Sequence, residues 1–170
     1  DTFNVYNKSR VLITGHTGFK GTWLSLWLKK LGANVSGISI DIPSNPSHFR
    51  AANLSSQIKD IRTDVRDTDA VRHIIDDLKP DFVFHLAAQA LVRNSYENPI
   101  ATMMTNAIGS ANVLDALRQL KKPVAAVMIT SDKAYNNVEW VWGYRETDRL
   151  GGKDTYSASK GMAELAINSY

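Results

Sequence analysis

Short apolar runs alternate with amphipathic stretches along the 170 residues, and the two periods predict strands and helices in turn. RVLIT (10–14) reads as the first strand. Phe19, Trp23, Trp27 and Leu31 recur every fourth residue, so 19–31 is expected to be a helix with this stripe buried and Gly32 at its C-terminal cap. VSGISI (35–40) is the second strand, and QIKDIRTDV (57–65) holds a third. Residues 68–79 form a helix stopped before Pro80, and DFVFHLA (81–87) is the fourth strand. PIATMMTNAIGSANVLDALRQL (99–120) is the longest helical segment, ended by Lys121, Lys122 and Pro123, and VAAVMIT (124–130) is the fifth strand.

These strands are continuous apolar runs rather than alternating ones, the mark of a parallel sheet covered on both faces. The expected fold is α/β: a Rossmann-type doubly wound parallel sheet of strand order 3-2-1-4-5, one domain over residues 1–170. Residues 134–152 are the one long irregular stretch, and such stretches are commonly functional.

Composition narrows the chemistry. A hydrophobic share of 44% supports a real core, and a net charge of +3 from dispersed Lys and Arg suits a small anionic ligand better than nucleic acid. With no cysteine, disulfides and thiolate zinc sites are excluded, and the four histidines (16, 48, 73, 85) show no ligand spacing, so no metal is expected. The apolar stretches fall short of the roughly 18 residues of a membrane span, and DTFNVYNKSR has no signal-peptide core; a cytoplasmic protein is expected.

GHTGFKG joins the first strand to the first helix, with Gly15, Gly18 and Gly21 where the backbone must turn, approach a pyrophosphate and pack tightly. Thr17, Phe19 and Lys20 lie in the same turn, whose helix N-terminus offers N–H groups to phosphate. Asp41 follows the second strand, 20 residues after Gly21, where a carboxylate would accept from an adenosine ribose diol and repel a 2′-phosphate; NAD is expected over NADP. Asp64 and Val65 of TDV, and Leu86, Ala87, Ala88 and Gln89 of HLAAQ, end strands on the same crevice, although Asp64 alone reads equally well as a turn or capping residue.

YSASK (156–160) sets Tyr156 and Lys160 at i and i+4 on a helix that Asp154 or Thr155 could cap. Lowering a phenol pKa by about three units needs roughly 4 kcal/mol, which an ammonium and a nicotinamide cation could supply. With six tyrosines in the chain, a YxxxK pattern alone is as readily a surface pair. ITSDKAY (129–135) follows the fifth strand, so Ser131 emerges at the cofactor edge and could join Tyr156 and Lys160 in one hydrogen-bonded set, with Thr130 beside it.

GHTGFKG, TDVRD, HLAAQ, TNAIG, ITSDKAY and YSASK, in that order, resemble the extended short-chain dehydrogenase/reductase family over nearly the whole chain. Within it, GHTGFKGTWLSLWL, AAQALVRNSYENP, TSDKAY and WVWGYRE look most like sugar-nucleotide 4,6-dehydratases, with CDP-glucose as the implied substrate. The resemblance implies Tyr156 as the base at the sugar 4-hydroxyl, Lys160 lowering its pKa and holding ribose, Ser131 steadying the 4-oxygen, and Asp132 donating a proton to the departing 6-hydroxyl. Lys133 stands where related dehydratases commonly have a glutamate as the C5 base. An ammonium cannot accept a proton, so Lys133 acts neutral, stabilises an enolate, or leaves C5 to another group. Thr105 and Asn106 resemble cofactor-facing helix residues, while His85 reads better as a satisfied strand-end histidine. Trp140, Trp142, Tyr144 and Arg145 border the sugar nucleotide or form a local aromatic cluster.

The resemblance further implies a second, substrate-binding lobe and a homodimer joined through helices 99–120 and 153–170, with Met103 and Met104 partly buried in the contact. A start without methionine and an end at Tyr170 lead to the expectation of a fragment of a longer two-lobed enzyme. The alternatives are a 4,6-dehydratase or 4-epimerase for another nucleotide sugar, and a non-catalytic NAD-binding module.

Overall fold

A computed structural model describes residues 2–170. Five parallel strands run in the order β3-β2-β1-β4-β5: β1 is Arg10–Thr14, β2 Asn34–Ser39, β3 Lys59–Arg62, β4 Phe82–His85 and β5 Ala125–Met128. In the central register Val11 lies beside Val35 and Phe82, and Thr14 beside Ile38 and His85. The expected strand order is the one observed: β1 has the expected bounds, β2 is shifted by one residue, and β3, β4 and β5 are shorter than expected at both ends.

Alternation along β1 divides the core. Leu12 joins Ile38, Val65, Val71, Ile75, Val83, Val113 and Ala116 on one face of the sheet, under α3 (Thr68–Leu78) and α6 (Gly109–Gln119). Val11 and Ile13 face the other way, against Leu28 of α1 (Phe19–Lys30), Ala33 and Val35. Burial is greatest along β1 and β2 and is lost at β5. Ala125, Ala126 and Val127 of β5 are all exposed, so the double cover expected of every strand stops short of this one.

The buried stripe expected on α1 is a correction. Phe19, Trp23 and Trp27 are 73%, 57% and 51% exposed, and Leu31 lies just past the helix, half-buried. The face against the sheet is Gly21, Thr22, Ser25 and Leu28. Close approach explains the choice: a Cβ at Gly21 would stand 2.1 Å from the Gly15 carbonyl oxygen. The two hydroxyls are satisfied locally, Thr22 donating to the His16 carbonyl at 3.0 Å and Ser25 to that of Gly21 at 2.7 Å. Gly32, at φ +86°, closes the helix as expected.

The long helical segment is one path with a defect in it. α5 (Pro99–Met103) passes through a π turn (Met104–Ile108) into α6. The wider turn buries Asn106 and Ala107 while Ile100, Met104 and Ile108 stay exposed on the outer side. α3 ends on Lys79 in the left-handed conformation before Pro80. The short helices α2 (His48–Ala51) and α4 (Val92–Glu97) fill connections, and α7 (Thr155–Ser169) packs across α5, the π turn and α6. No described helix is long and apolar enough to cross a membrane.

Candidate active site

The crevice beyond the carboxyl ends of the strands starts at the glycine loop. Gly15 has φ +76°, and a Cβ there would stand 2.8 Å from the Ala87 nitrogen, so both conformation and contact demand glycine. Gly18 is the N-cap of α1 and provides no side-chain cap, and the first turn holds no acid. Phe19 and Lys20 open the helix, both exposed. Thr17 ties the loop across to the segment after β2, donating from Oγ1 to the Asp41 carbonyl at 2.6 Å. Asp41 leaves its exposed carboxylate free of hydrogen bonds among the described residues, two residues beyond the end of β2. His16 turns the other way: its wholly buried ring reaches Asp60 of β3 at 2.8 Å and lies against Gly37, where a Cβ would come within 2.2 Å of it.

A chain of hydrogen bonds forms the floor. The Ala87 N–H donates to Thr14 Oγ1 at 3.1 Å, and Thr14 donates to His85 Nδ1 at 2.7 Å. His85 Nε2 reaches Ser110 Oγ at 3.0 Å, and Ser110 spends its one hydrogen on the Asn106 carbonyl at 2.7 Å. Nε2 must therefore carry the proton, which makes His85 a neutral imidazole with both nitrogens used. Burial, helped by the charge of Lys160, pushes its pKa down to about 3. It is the satisfied strand-end histidine expected.

Asn106 fixes the next stretch. Its side chain accepts from the Gln89 N–H at 2.8 Å, donates to the Gln89 carbonyl at 3.1 Å and to Ser159 Oγ at 2.9 Å, so the loop after β4, the π turn and α7 share one residue. The Gln89 side chain bonds inward to Leu91 and Thr102. Leu86 packs under β1 and Ala87 under α3 and α6, with Ala88 half-buried beside them. Thr105 donates to the Ala101 carbonyl at 2.8 Å, the local backbone bond of a helical threonine. Asp64 is held by Arg66 through a 2.6 Å ion pair that lowers its pKa, and Val65 is core, its carbonyl accepting from Asn112.

Tyr156, Lys160 and Glu164 form a line along α7, which Asp154 caps by accepting from the Ser157 N–H at 2.9 Å. Tyr156 and Lys160 are 9% and 5% exposed, so the pair is no surface coincidence. The Lys160 ammonium donates to the Ile129 carbonyl at 3.4 Å; burial lowers its pKa while Glu164 acts against the shift. Ser131 caps the 3-10 turn Asp132–Ala134, accepting from the Lys133 N–H at 3.2 Å and donating to Asp132 at 3.1 Å. Asp132 and Lys133 are exposed. α7 packs on this turn, which brings Ser131, Tyr156 and Lys160 to one end of β5, although no direct hydrogen bond joins the three. Thr130 donates its hydroxyl hydrogen to Glu164.

In the stretch 134–152 the rings of Trp140 and Tyr135 both stack on Tyr144, at 5.6 and 5.5 Å between centroids. Trp142 stands apart at 70% exposed, and the Arg145 N–H is taken by Asp148. The local-cluster reading describes Trp140 and Tyr144.

Thr14, Ser110 and Glu164 carry the scaffolding of this site and have no local motif; only their partners reveal them. The donor set and the shape fit a dinucleotide: an uncapped helix start, a glycine loop whose Cβ positions are taken by neighbouring backbone so that it lies close against the strand ends, and a free carboxylate one strand over. No group of acids and histidines able to hold a metal occurs among the described residues.

Sheet order, glycine loop and the Tyr156–Lys160 pair together define an extended short-chain dehydrogenase/reductase domain. Within that class the chain belongs to the GDP-mannose 4,6 dehydratase family, whose sequence profile matches residues 12–170. It is 49% identical to a CDP-glucose 4,6-dehydratase of Salmonella typhimurium (strain LT2) over 98% of this chain and 46% of that protein. It is 34% identical to UDP-glucuronate 4-epimerase 1 of Arabidopsis thaliana over 94% and 38%. The chain thus spans about half the length, or less, of these two relatives. Among solved structures, an epimerase of Methanothermobacter thermautotrophicus superposes with a TM-score of 0.85 at 27% identity, over 98% of this chain and 48% of the other. The UDP-glucose 4-epimerase of Thermus thermophilus, solved with NAD, superposes at 0.80 with 29% identity, over 95% and 50%.

Proposed function

We propose that this chain is the cofactor-binding and acid–base half of a dehydratase that converts CDP-glucose to CDP-4-keto-6-deoxyglucose with NAD. The observation that carries the reading is the buried Tyr156–Lys160 pair of α7, whose lysine bonds to the Ile129 carbonyl just past β5 and whose helix packs on the turn Asp132–Ala134. The 49% identity to a CDP-glucose 4,6-dehydratase supports the substrate. The free carboxylate of Asp41 supports NAD over NADP, since it accepts from a ribose diol and repels a 2′-phosphate.

Gly15, Gly18 and the first turn of α1, with Thr17, Phe19, Lys20 and Gly21, hold the pyrophosphate; Asp41 takes the adenosine ribose, and Asp64 and Val65 border the adenine. Leu86, Ala87, Ala88, Gln89 and Thr105 line the middle of the crevice, and Thr130 its far wall. When bound, NAD supplies a hydride acceptor for sugar C4 and a donor for C6. Tyr156 removes the proton of the 4-hydroxyl, and the buried ammonium of Lys160 stabilises the phenolate that does so. Ser131 holds the 4-oxygen. Asp132, exposed and free to meet substrate, protonates the departing 6-hydroxyl, while Lys133 either takes the C5 proton as a neutral amine or holds the enolate by its charge as a base on another segment takes that proton. An epimerase, which only moves hydride, has no use for an acid at Asp132.

Two copies pair through the outer row Ile100, Met104 and Ile108, exposed at 70%, 40% and 41%, with Met162 and Leu165 of α7 beside it. Light scattering on the protein as its gene encodes it should return a dimer mass; a monomer removes this element.

Turnover is tested with NAD on CDP-glucose, dTDP-glucose, UDP-glucose and GDP-mannose in parallel, with Tyr156→Phe as control. Selective 4-keto-6-deoxy product from CDP-glucose, abolished by Tyr156→Phe with NAD still bound, is the expected result. Product from none of the four overturns the dehydratase reading.

A further inference from the structure

Glu164 stands eight residues beyond Tyr156 and four beyond Lys160, so the three form one row along α7. Two bonds run from this row to consecutive residues leaving β5: the Lys160 ammonium donates to the Ile129 carbonyl, and the Thr130 hydroxyl donates to the Glu164 carboxylate. Ser131 is the next residue of the chain. Beyond the backbone bond from the Ile129 N–H to the His85 carbonyl at 3.0 Å, these two bonds tie the exit of β5 to α7.

We propose that Glu164 is a positioning residue of the site: by gripping Thr130 it locks the exit of β5 to α7, which sets the Ile129 carbonyl against Lys160 and aims Ser131 toward Tyr156. Lys160 needs such a clamp. Its ammonium is buried, and its one hydrogen bond is long, so a small retreat of residues 129–131 leaves it without an acceptor. The groups around it offer no substitute. His85 on β4 is neutral and fully engaged, and α5 and the π turn contribute no ionisable side chain. Asp132 and Lys133 are exposed, while on α4 and α6 Arg93 pairs with Glu97 and Arg118 with Asp115. Glu164 is the carboxylate acting on Lys160.

The inference rests on the reading of the site as NAD-dependent, so the first readout is NAD affinity, by quenching of tryptophan fluorescence, and the second is the kcat and KM for CDP-glucose. Glu164→Ala and Thr130→Val each cut the same bond from opposite ends. Both should weaken NAD binding and lower kcat by on the order of 10- to 100-fold with little change in KM, the double variant being no worse than either alone. Glu164→Gln, which keeps an oxygen for Thr130, should restore both near neutral pH. Variants that bind NAD and turn over like the wild type overturn the clamp. So does a fall in melting temperature with kcat per NAD-loaded molecule unchanged, or a Thr130→Val that behaves as wild type while Glu164→Gln behaves as Glu164→Ala. A wild type that binds no NAD overturns the cofactor reading and the clamp with it; one that binds NAD but makes no keto sugar removes only the dehydratase reading, and the affinity series still decides.

Discussion

The side-chain amide of Asn106 takes both main-chain groups of Gln89, accepting from its N–H at 2.8 Å and donating to its carbonyl at 3.1 Å. One side chain thereby does for the loop after β4 what a neighbouring strand does inside the sheet. The π turn is what brings Asn106 inward, and Ser159 on α7 completes its bonding.

Asn106→Leu should therefore cost about 1–3 kcal/mol, since it leaves both half-buried main-chain groups of Gln89 unpaired. Urea unfolding measures the loss, and a change under about 0.5 kcal/mol contradicts the assignment. Asn106→Asp should fare little better than Leu, because a carboxylate cannot donate to a carbonyl.

His85 gives the fold a pH dependence. Its folded pKa near 3 lies below the ordinary 6.5, so the unfolded chain binds the extra proton first as pH falls. Its contribution is intact above pH 6.5 and is lost as pH falls from there toward 3, at up to about 1.4 kcal/mol per pH unit. Unfolding free energies at pH 7 and pH 5 should differ more for wild type than for His85→Gln. Parallel slopes for the two proteins exclude His85 as the source.

The outward aromatic row of α1 separates burial from hydrophobicity. Trp27→Gln should lower stability by less than about 1 kcal/mol, whereas Leu28→Ala, 1% exposed before truncation, should cost about 2–5 kcal/mol. Thermal melts of the two variants decide the matter, and a larger loss from the tryptophan reverses the assignment of faces.

Asp41 should govern the choice between nicotinamide dinucleotides. Asp41→Ala should weaken NAD about 10- to 100-fold, the worth of a hydrogen-bonded carboxylate, and ease NADP entry. Titrations with both cofactors report the ratio; an unchanged ratio assigns the ribose contact elsewhere.

Much of this architecture is written locally. The strand order follows from apolar runs separated by helices, and GHTGFKG announces a turn that only glycine can make at Gly15. The α1 face was not legible from spacing. Phe19, Trp23 and Trp27 mark a stripe but not which way it looks, and a helix lying close to a sheet puts its small residues inward. Nor does spacing disclose Thr14, Ser110, Asn106 or Glu164, whose partners lie 17 to 73 residues away and meet only after folding. The Ser131–Tyr156–Lys160 set lies between the two cases: its members share one end of β5, but the bonds they make run to Asp132, Lys133 and the backbone at Ile129 rather than to each other.

The open flank of β5 gives these 170 residues a social property. Among the described residues β5 pairs with β4 alone, and with no charge in Ala125–Met128 its free backbone edge can take up an extended segment that docks beside it, from whichever chain presents one. At high concentration in isolation, the segment most often within reach is another molecule of the same kind.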